Sequence, residues 1–178
     1  MVQDFGSLVR RMHAIRLRSP WLLIPRERWT LSPEMANGPS SAPAYHIQPL
    51  ADQEPREVST PGHWGSTLGD DFRGRVEYVR RFGLPTNLSL DERVFLVVER
   101  VDWEADISLN GQRLGAVNYV AGPGRFDITP WLRPRNELTI GVELPPWSAA
   151  AEPAGRADRR GLPGGLVGEV RLEITSPG

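Results

Sequence analysis

The sequence contains no cysteine and no lysine. Without cysteine there is no disulfide framework, no thiolate metal site and no thiol nucleophile. Every one of the 21 basic residues is therefore Arg, set against 22 acidic residues. This near-cancellation removes any general attraction to nucleic acid or to an anionic membrane. Long apolar runs are also scarce near the N-terminus. The stretch Trp21 to Ile24 is far too short for a signal-peptide core or a membrane span, so a soluble, cytoplasmic protein is expected. The three His, at 13, 46 and 63, lack an H-x-x-x-H spacing, and no metal site or cofactor is expected. Helical periodicity is nearly missing. Phe5, Leu8, Val9 and Met12 have the spacing of one short amphipathic turn, and Thr129-Pro130-Trp131-Leu132 that of a capped turn with Pro in first position.

What the chain does have is turn chemistry and alternation. Its 18 Gly and 17 Pro are spread widely through 178 residues, as suits many short strands joined by turns. Val76, Tyr78 and Phe82 share one face of a period-two run, as do Leu138, Ile140, Val142 and Leu144, and again Val170, Leu172 and Ile174. The run from Arg93 to Val101 is apolar on both faces over Phe95 to Val98, the pattern of a strand inside a sandwich. Ile15 and Leu17 followed by Trp21, then Trp29 to Leu31, predict two more strands, with Trp21 and Trp29 in the core. The expected fold is all-β in a single domain, 1–178, with its core at about 13–175, an N-terminal extension at 1–12 and long loops at 32–53 and 148–163.

In the stretch WEADISLNGQRLG, Asn110-Gly111 suits the positive φ angles of a type I′ turn, which would pair Ile107 and Leu109 with the strand through Leu114. This hairpin lies in an ordered series: RVEYVRRFGLP, then ERVFLVVERVDWEADISLNGQRLG, then RFDITPWLRPRNELTIGVEL, and finally GGLVGEVRLEI. Together these blocks resemble the N-terminal sugar-binding domain of glycoside hydrolase family 2, the β-galactosidase and β-glucuronidase group. The resemblance runs from about Trp21 to Ile174 and is strongest from Gly74 to Leu144. It implies a jelly-roll β-sandwich of the galactose-binding-domain-like fold. In that family the nucleophile and the acid/base carboxylate belong to a separate (β/α)₈ barrel of ~250 residues, so no catalytic residue is expected here.

The residues read independently point the same way. Glycoside hydrolysis needs two carboxylates about 5 to 10 Å apart across a cleft. Alternation puts Asp102, Glu104 and Asp106 on one sheet face, where nearby Arg would balance them as a solvated patch. The Gly-containing stretches at 122–124 and 161–165 lack the strand-to-helix context of a phosphate cradle. Arg80, matching the family's strand Arg, is expected to pair with a carboxylate of a neighbouring strand, with Arg81 on the opposite face. Trp131 is expected to pack its helical turn against the sandwich.

Sugar sites combine an aromatic platform with a few carboxylate, amide or guanidinium groups. Trp64, Trp103 and Trp147 fall at strand ends or in loops, where exposure is expected. The resemblance implies that two loops reach toward a sugar: the one before the Tyr-Arg-Phe strand, carrying Trp64, Asp70, Asp71 and Arg73, and the one before the GG motif, carrying Trp147 and Asp158. Asp158 lies near a family acid, whereas the Trp that accompanies that acid is absent. Two partner classes follow, a carbohydrate or a protein chain. The second would make the domain a scaffold or the accessory subunit of a separate hydrolase.

Overall fold

The computed structural model describes residues 12–32, 45–146 and 161–176. Trp147, Asp158 and the turn expected around Phe5 to Val9 lie outside them. In chain order the elements are β1 (Met12–Arg16), β2 (Trp21–Leu31), β3 (Tyr45–Pro49), β4 (Arg56–Val58), β5 (Gly62–His63), α1 (Gly65–Leu68), β6 (Gly74–Gly83), β7 (Arg93–Val98), β8 (Glu104–Leu109), β9 (Gln112–Asn118), β10 (Gly124–Asp127), β11 (Arg135–Leu144), β12 (Gly165–Leu166) and β13 (Val170–Thr175). A 3₁₀ turn at Thr129–Trp131 precedes β11, with Pro130 near its start and the Thr129 N–H donating to Asp127 Oδ1 at 2.9 Å.

Two antiparallel sheets face each other. The smaller runs β1-β13-β7-β10; the larger runs β3-β2-β6-β11-β8-β9, with β4 added alongside β2. The alternating residues meet between them. Leu138, Ile140, Val142 and Leu144 are completely buried on β11, as are Val76 on β6 and Ile107 and Leu109 on β8. Val170, Leu172 and Ile174 close the core from β13. β7 sits between β13 and β10, and its outward Phe95 is covered by the Arg125 guanidinium, 3.4 Å from the ring centroid. The hairpin also folds as read. Asn110 and Gly111 have φ of 52° and 81°, and Leu109 pairs with Gln112. The register shifts between Ile107 and Ser108, leaving Leu114 as the extra residue of a bulge.

Several expectations are corrected. Trp21 and Trp29 stand on one continuous 11-residue strand, β2, not on separate strands. A register shift between Pro25 and Glu27 turns the strand over: Pro25 pairs with buried Val76, while Glu27 pairs with Arg75. Trp21 thus enters the core, hydrogen-bonding through Nε1 to the Leu17 carbonyl at 2.9 Å. Trp29 is also buried but lies on the outer side of the sheet, stacked on Tyr45 at 4.7 Å. Within the expected loop 32–53, Tyr45–Pro49 forms a strand on β2. Trp131 is 43% exposed, because its turn is secured by its backbone carbonyl, which accepts from Asn110 Nδ2 at 2.8 Å, rather than by ring packing.

Candidate functional site

The ends of the sandwich differ in construction, and the loop before β6 lies beside the GG segment at one of them. Gly62–His63 pairs with Gly165–Leu166, and the Asp102 and Gly165 amides and carbonyls exchange 2.9 Å hydrogen bonds. Trp64 donates its backbone N–H to the Gly164 carbonyl at 2.9 Å, and a Cβ on Gly164 would lie 2.5 Å from two Trp64 ring atoms. Only glycine lets the closing GG motif lie this close to the indole. The loop before β6 is thereby joined to the segment that leads into β12.

Trp64 is wholly buried, which corrects the expectation of an exposed ring. Its indole meets Phe72 edge-on at 5.8 Å, so it forms the floor of this end rather than a platform on it. The indole Nε1 is buried and has no hydrogen-bond partner among the described residues. Asp70 and Asp71 are exposed in the turn after α1. The Asp70 carboxylate folds over Gly65, occupying the space a side chain there would need. Arg73 Nη1 donates to the carbonyls of Asp70 and Phe72, each at 2.9 Å, which fixes the turn.

Trp103 and Tyr119, beside this floor, stack at 5.4 Å, and the Arg100 guanidinium lies 5.4 Å from the Tyr119 centroid. The pair is fastened by the Tyr119 N–H donating to the Trp103 carbonyl at 2.8 Å and the Trp103 N–H to Glu143 at 3.2 Å. Sequence reading reached Trp103 as a strand-end aromatic but missed Tyr119 and Arg100. Their proximity depends on the register of β8 on β9, which pairs Glu104 with Asn118.

The acids Asp102, Glu104 and Asp106 separate. Asp102 is fully buried in the bridge to Gly165, contrary to the solvated-face expectation, because alternation breaks before β8 begins. Glu104 is exposed, and Asp106 accepts from Arg113 Nη2 at 2.6 Å with Arg75 3.7 Å away. Arg75 also bonds Glu143 and lies across Gly141, where no side chain obstructs it. Burial chiefly, with the Glu143 and Glu27 carboxylates adding, raises the Tyr45 phenol above its ordinary range on this outer face. Arg81 pairs with Glu137 of β11 at 2.9 Å, while Arg80, on the other face, has a buried Nε with no hydrogen-bond partner among the described residues.

The opposite end carries an open groove of about 560 Å³ lined by Arg81, Phe82, Asn110, Arg135, Asn136 and Glu137, among others. Its wall is a structural lock. Asn136 Oδ1 accepts from Asn110 Nδ2 at 3.0 Å and the Arg133 amide at 2.8 Å, and its Nδ2 donates to the Arg133 carbonyl at 2.7 Å. No group of three or more metal-binding side chains occurs among the described residues. None of the helices among them is long and apolar enough to cross a membrane.

Residues 72–168 match the family model described as the glycosyl hydrolase 2 galactose-binding domain-like domain. The chain belongs to this family. Among solved structures it is similar to an FMN-binding β-glucuronidase from Facaelibacterium prausnitzii L2-6, with TM-score 0.64, 22% identity and coverage of 93% of this chain and 23% of that one. It is likewise similar to a β-glucuronidase of Bifidobacterium dentium complexed with coumarin-3-O-glucuronide, with TM-score 0.64, 22% identity and coverage of 98% and 31%. A putative β-galactosidase from Bacteroides fragilis gives 0.64, 18%, 93% and 23%. At these identities the likeness is one of fold, and the chain spans about a quarter to a third of those proteins' lengths. A comparison with curated protein sequences gives no match.

Proposed function

We propose that this domain is a non-catalytic saccharide-binding module whose contact surface is the loop end of the sandwich. The observation that carries the reading is the joining of the loop 64–73 to the GG segment by Gly164 on Trp64 and by the β5–β12 ladder. Asp70, Asp71 and Arg73 supply groups for sugar hydroxyls, and the Trp103–Tyr119 pair supplies the aromatic wall. Trp64 acts from beneath by fixing the loop. The proposed set also includes Trp147 and Asp158, which lie outside the described residues. The structural neighbours' names direct attention to β-glucuronides and β-galactosides.

Titration of the ¹⁵N-labelled protein with both classes of glycoside tests the reading. Binding is expected to move the amides of Asp70 to Arg73, Trp103 and Tyr119, and Trp103→Ala is expected to weaken it about tenfold, ~1.4 kcal/mol. Absence of binding by either class at millimolar concentration contradicts the reading. Nitrophenyl glycosides are expected to be left intact; turnover lost in Asp70→Asn or Asp158→Asn would make the domain an enzyme instead.

A second reading, a module that contacts a protein chain, draws on the outer edge of the larger sheet. There Leu31 and Ile47 are 42% and 47% exposed. Pull-down and size-exclusion measurements with Ile47→Asp distinguish it, since a stable complex lost in that variant would favour protein recognition.

A further inference from the structure

The chain has two Asn-Gly pairs, Asn37-Gly38 and Asn110-Gly111. Asn37 lies outside the described residues, whereas Asn110 is held in the β8–β9 turn. In an Asn-Gly pair the glycine nitrogen attacks the asparagine Cγ more readily than in other pairs, because glycine has no Cβ to obstruct the approach. The new C–N bond closes a succinimide ring; the attacking nitrogen gives up its proton and the side-chain nitrogen leaves as ammonia. Water then opens the ring at either carbonyl, which leaves aspartate or isoaspartate. One water is consumed, one ammonia is released, and nothing is oxidised or reduced.

Sterically, the Asn110 turn is open to this reaction. Gly111 is exposed, and a Cβ built on it would meet nothing within 4 Å. What opposes the attack is the bonding of the Asn110 side chain. Its Nδ2 donates to the Trp131 carbonyl at 2.8 Å and to Asn136 Oδ1 at 3.0 Å, and its Oδ1 accepts from the Glu137 amide at 2.9 Å. Attack turns the planar Cγ tetrahedral and carries the amide out of the plane in which these three bonds are made. Asn136 cannot follow it, being 2% exposed and bonded to both the N–H and the carbonyl of Arg133. Reaction in the closed turn therefore sacrifices all three bonds, and reaction in an opened turn does not.

The product cannot restore what was lost. Aspartate at this position would set a carboxylate oxygen against the Trp131 carbonyl and Asn136 Oδ1, two acceptors that receive from Nδ2 in the intact turn. Reversing the Asn136 amide would present a donor but break its two bonds to Arg133. Isoaspartate would add a backbone carbon to a turn whose ends are fixed by the pairing of Leu109 with Gln112. We propose that Asn110 is a deamidation site gated by Asn136: it converts when the hairpin end opens, and conversion prevents that end from closing as before. The proposal concerns the scaffold end of the sandwich and does not rest on the saccharide reading.

The test is incubation of the whole protein at mildly alkaline pH, folded and in urea, followed by peptide mass spectrometry that separates the aspartate and isoaspartate products of Asn37 and Asn110. In urea the two asparagines are expected to convert at rates within about threefold of each other, and folding is expected to slow Asn110 at least about thirtyfold. Asn136→Ala should speed conversion of Asn110 in the folded protein at least about tenfold, whereas Glu173→Gln, on the smaller sheet, should change it less than about twofold. Should Asn136→Ala fail to fold, the milder Asn136→Ser decides the matter, with an expected acceleration of at least about threefold. Asn110→Asp, the product made directly, should unfold at lower urea than the parent. Conversion of Asn110 as fast in the folded protein as in urea would overturn the gating, and so would equal acceleration by the Asn136 and Glu173 variants, which would trace protection to global stability. No conversion of Asn110 in urea while Asn37 converts would overturn the site itself, and an unchanged midpoint for Asn110→Asp would overturn its irreversibility.

Discussion

At the hairpin end of the sandwich, Asn136 is 2% exposed and its amide is bonded on both sides, to Asn110 and to the Arg133 backbone. At the loop end, Trp64 is fully buried, yet its indole N–H has no partner among the described residues. A buried polar group left unpaired costs about 1–3 kcal/mol, whereas a satisfied one holds its surroundings in a single arrangement. One end is thus fixed by side-chain amide bonding, and the other by backbone hydrogen bonds together with the close approach of Gly164 to the indole ring. The contrast separates scaffold from proposed contact surface: the locked end secures the β8–β9 turn and the entry to β11, and the other end joins the loop at Trp64 to the GG segment.

Substitutions can break or sharpen this contrast. The largest loss is expected from Trp64→Ala, which empties the floor and should cost about 3–5 kcal/mol in chemical denaturation. Trp64→Phe should cost less than half of that, since it keeps most of the ring and deletes an unpaired donor. At the other end, Asn136→Leu should cost about 2–3 kcal/mol, because it strands both Arg133 backbone groups and leaves Asn110 Nδ2 only its bond to the Trp131 carbonyl. A loss for Asn136→Leu smaller than that for Trp64→Phe would contradict the assignment of the polar lock.

Glu173 provides a control on the smaller sheet. Burial opposes its ionisation, but hydrogen bonds and charge from Arg125 and Arg171 outweigh burial and hold its carboxyl below the usual range. Its contribution is therefore complete above the ordinary glutamate range and is lost as pH falls through the lowered folded value. Glu173→Gln should cost about 1–2 kcal/mol near neutrality and flatten that acid limb in denaturant midpoints measured against pH. The smallest effect at neutral pH is expected from Tyr78→Phe, about 1 kcal/mol. Burial pushes the Tyr78 phenol well up, only partly offset by its bond to the Leu166 backbone. The unfolded phenol ionises first, so stability should fall as pH rises past about 10. Tyr78→Phe should remove that part of the alkaline slope.

Much of the fold was legible because burial on one sheet face imposes a period of two. The sets on β6, β11 and β13 occupy the faces that alternation assigns to them, and Asn110-Gly111 adopts the turn its chemistry favours. Breaks in alternation were not legible. The shift after Pro25 moves Trp29 out of the main core, and Asp102 drops into a bridge before the β8 pattern starts. Both depend on pairing with residues distant in sequence. Arg80 and Arg81 illustrate the same limit: neighbouring positions fixed their opposite faces, but only the β6–β11 register shows that Glu137 lies beside Arg81. Of the site residues, loop position located Asp70, Asp71 and Arg73 in an exposed turn but misjudged Trp64, since nothing local reveals that Gly164 folds over its ring.

The central claim is that the loop end receives the saccharide, and a residue-resolved titration with a β-galactoside and a β-glucuronide tests it most directly. The predicted result is a set of perturbations on Asp70, Asp71, Arg73, Trp103 and Tyr119, with Asn110 and Asn136 unmoved. Perturbations centred on Asn110 and Asn136, or none with either sugar at millimolar concentration, would contradict the account.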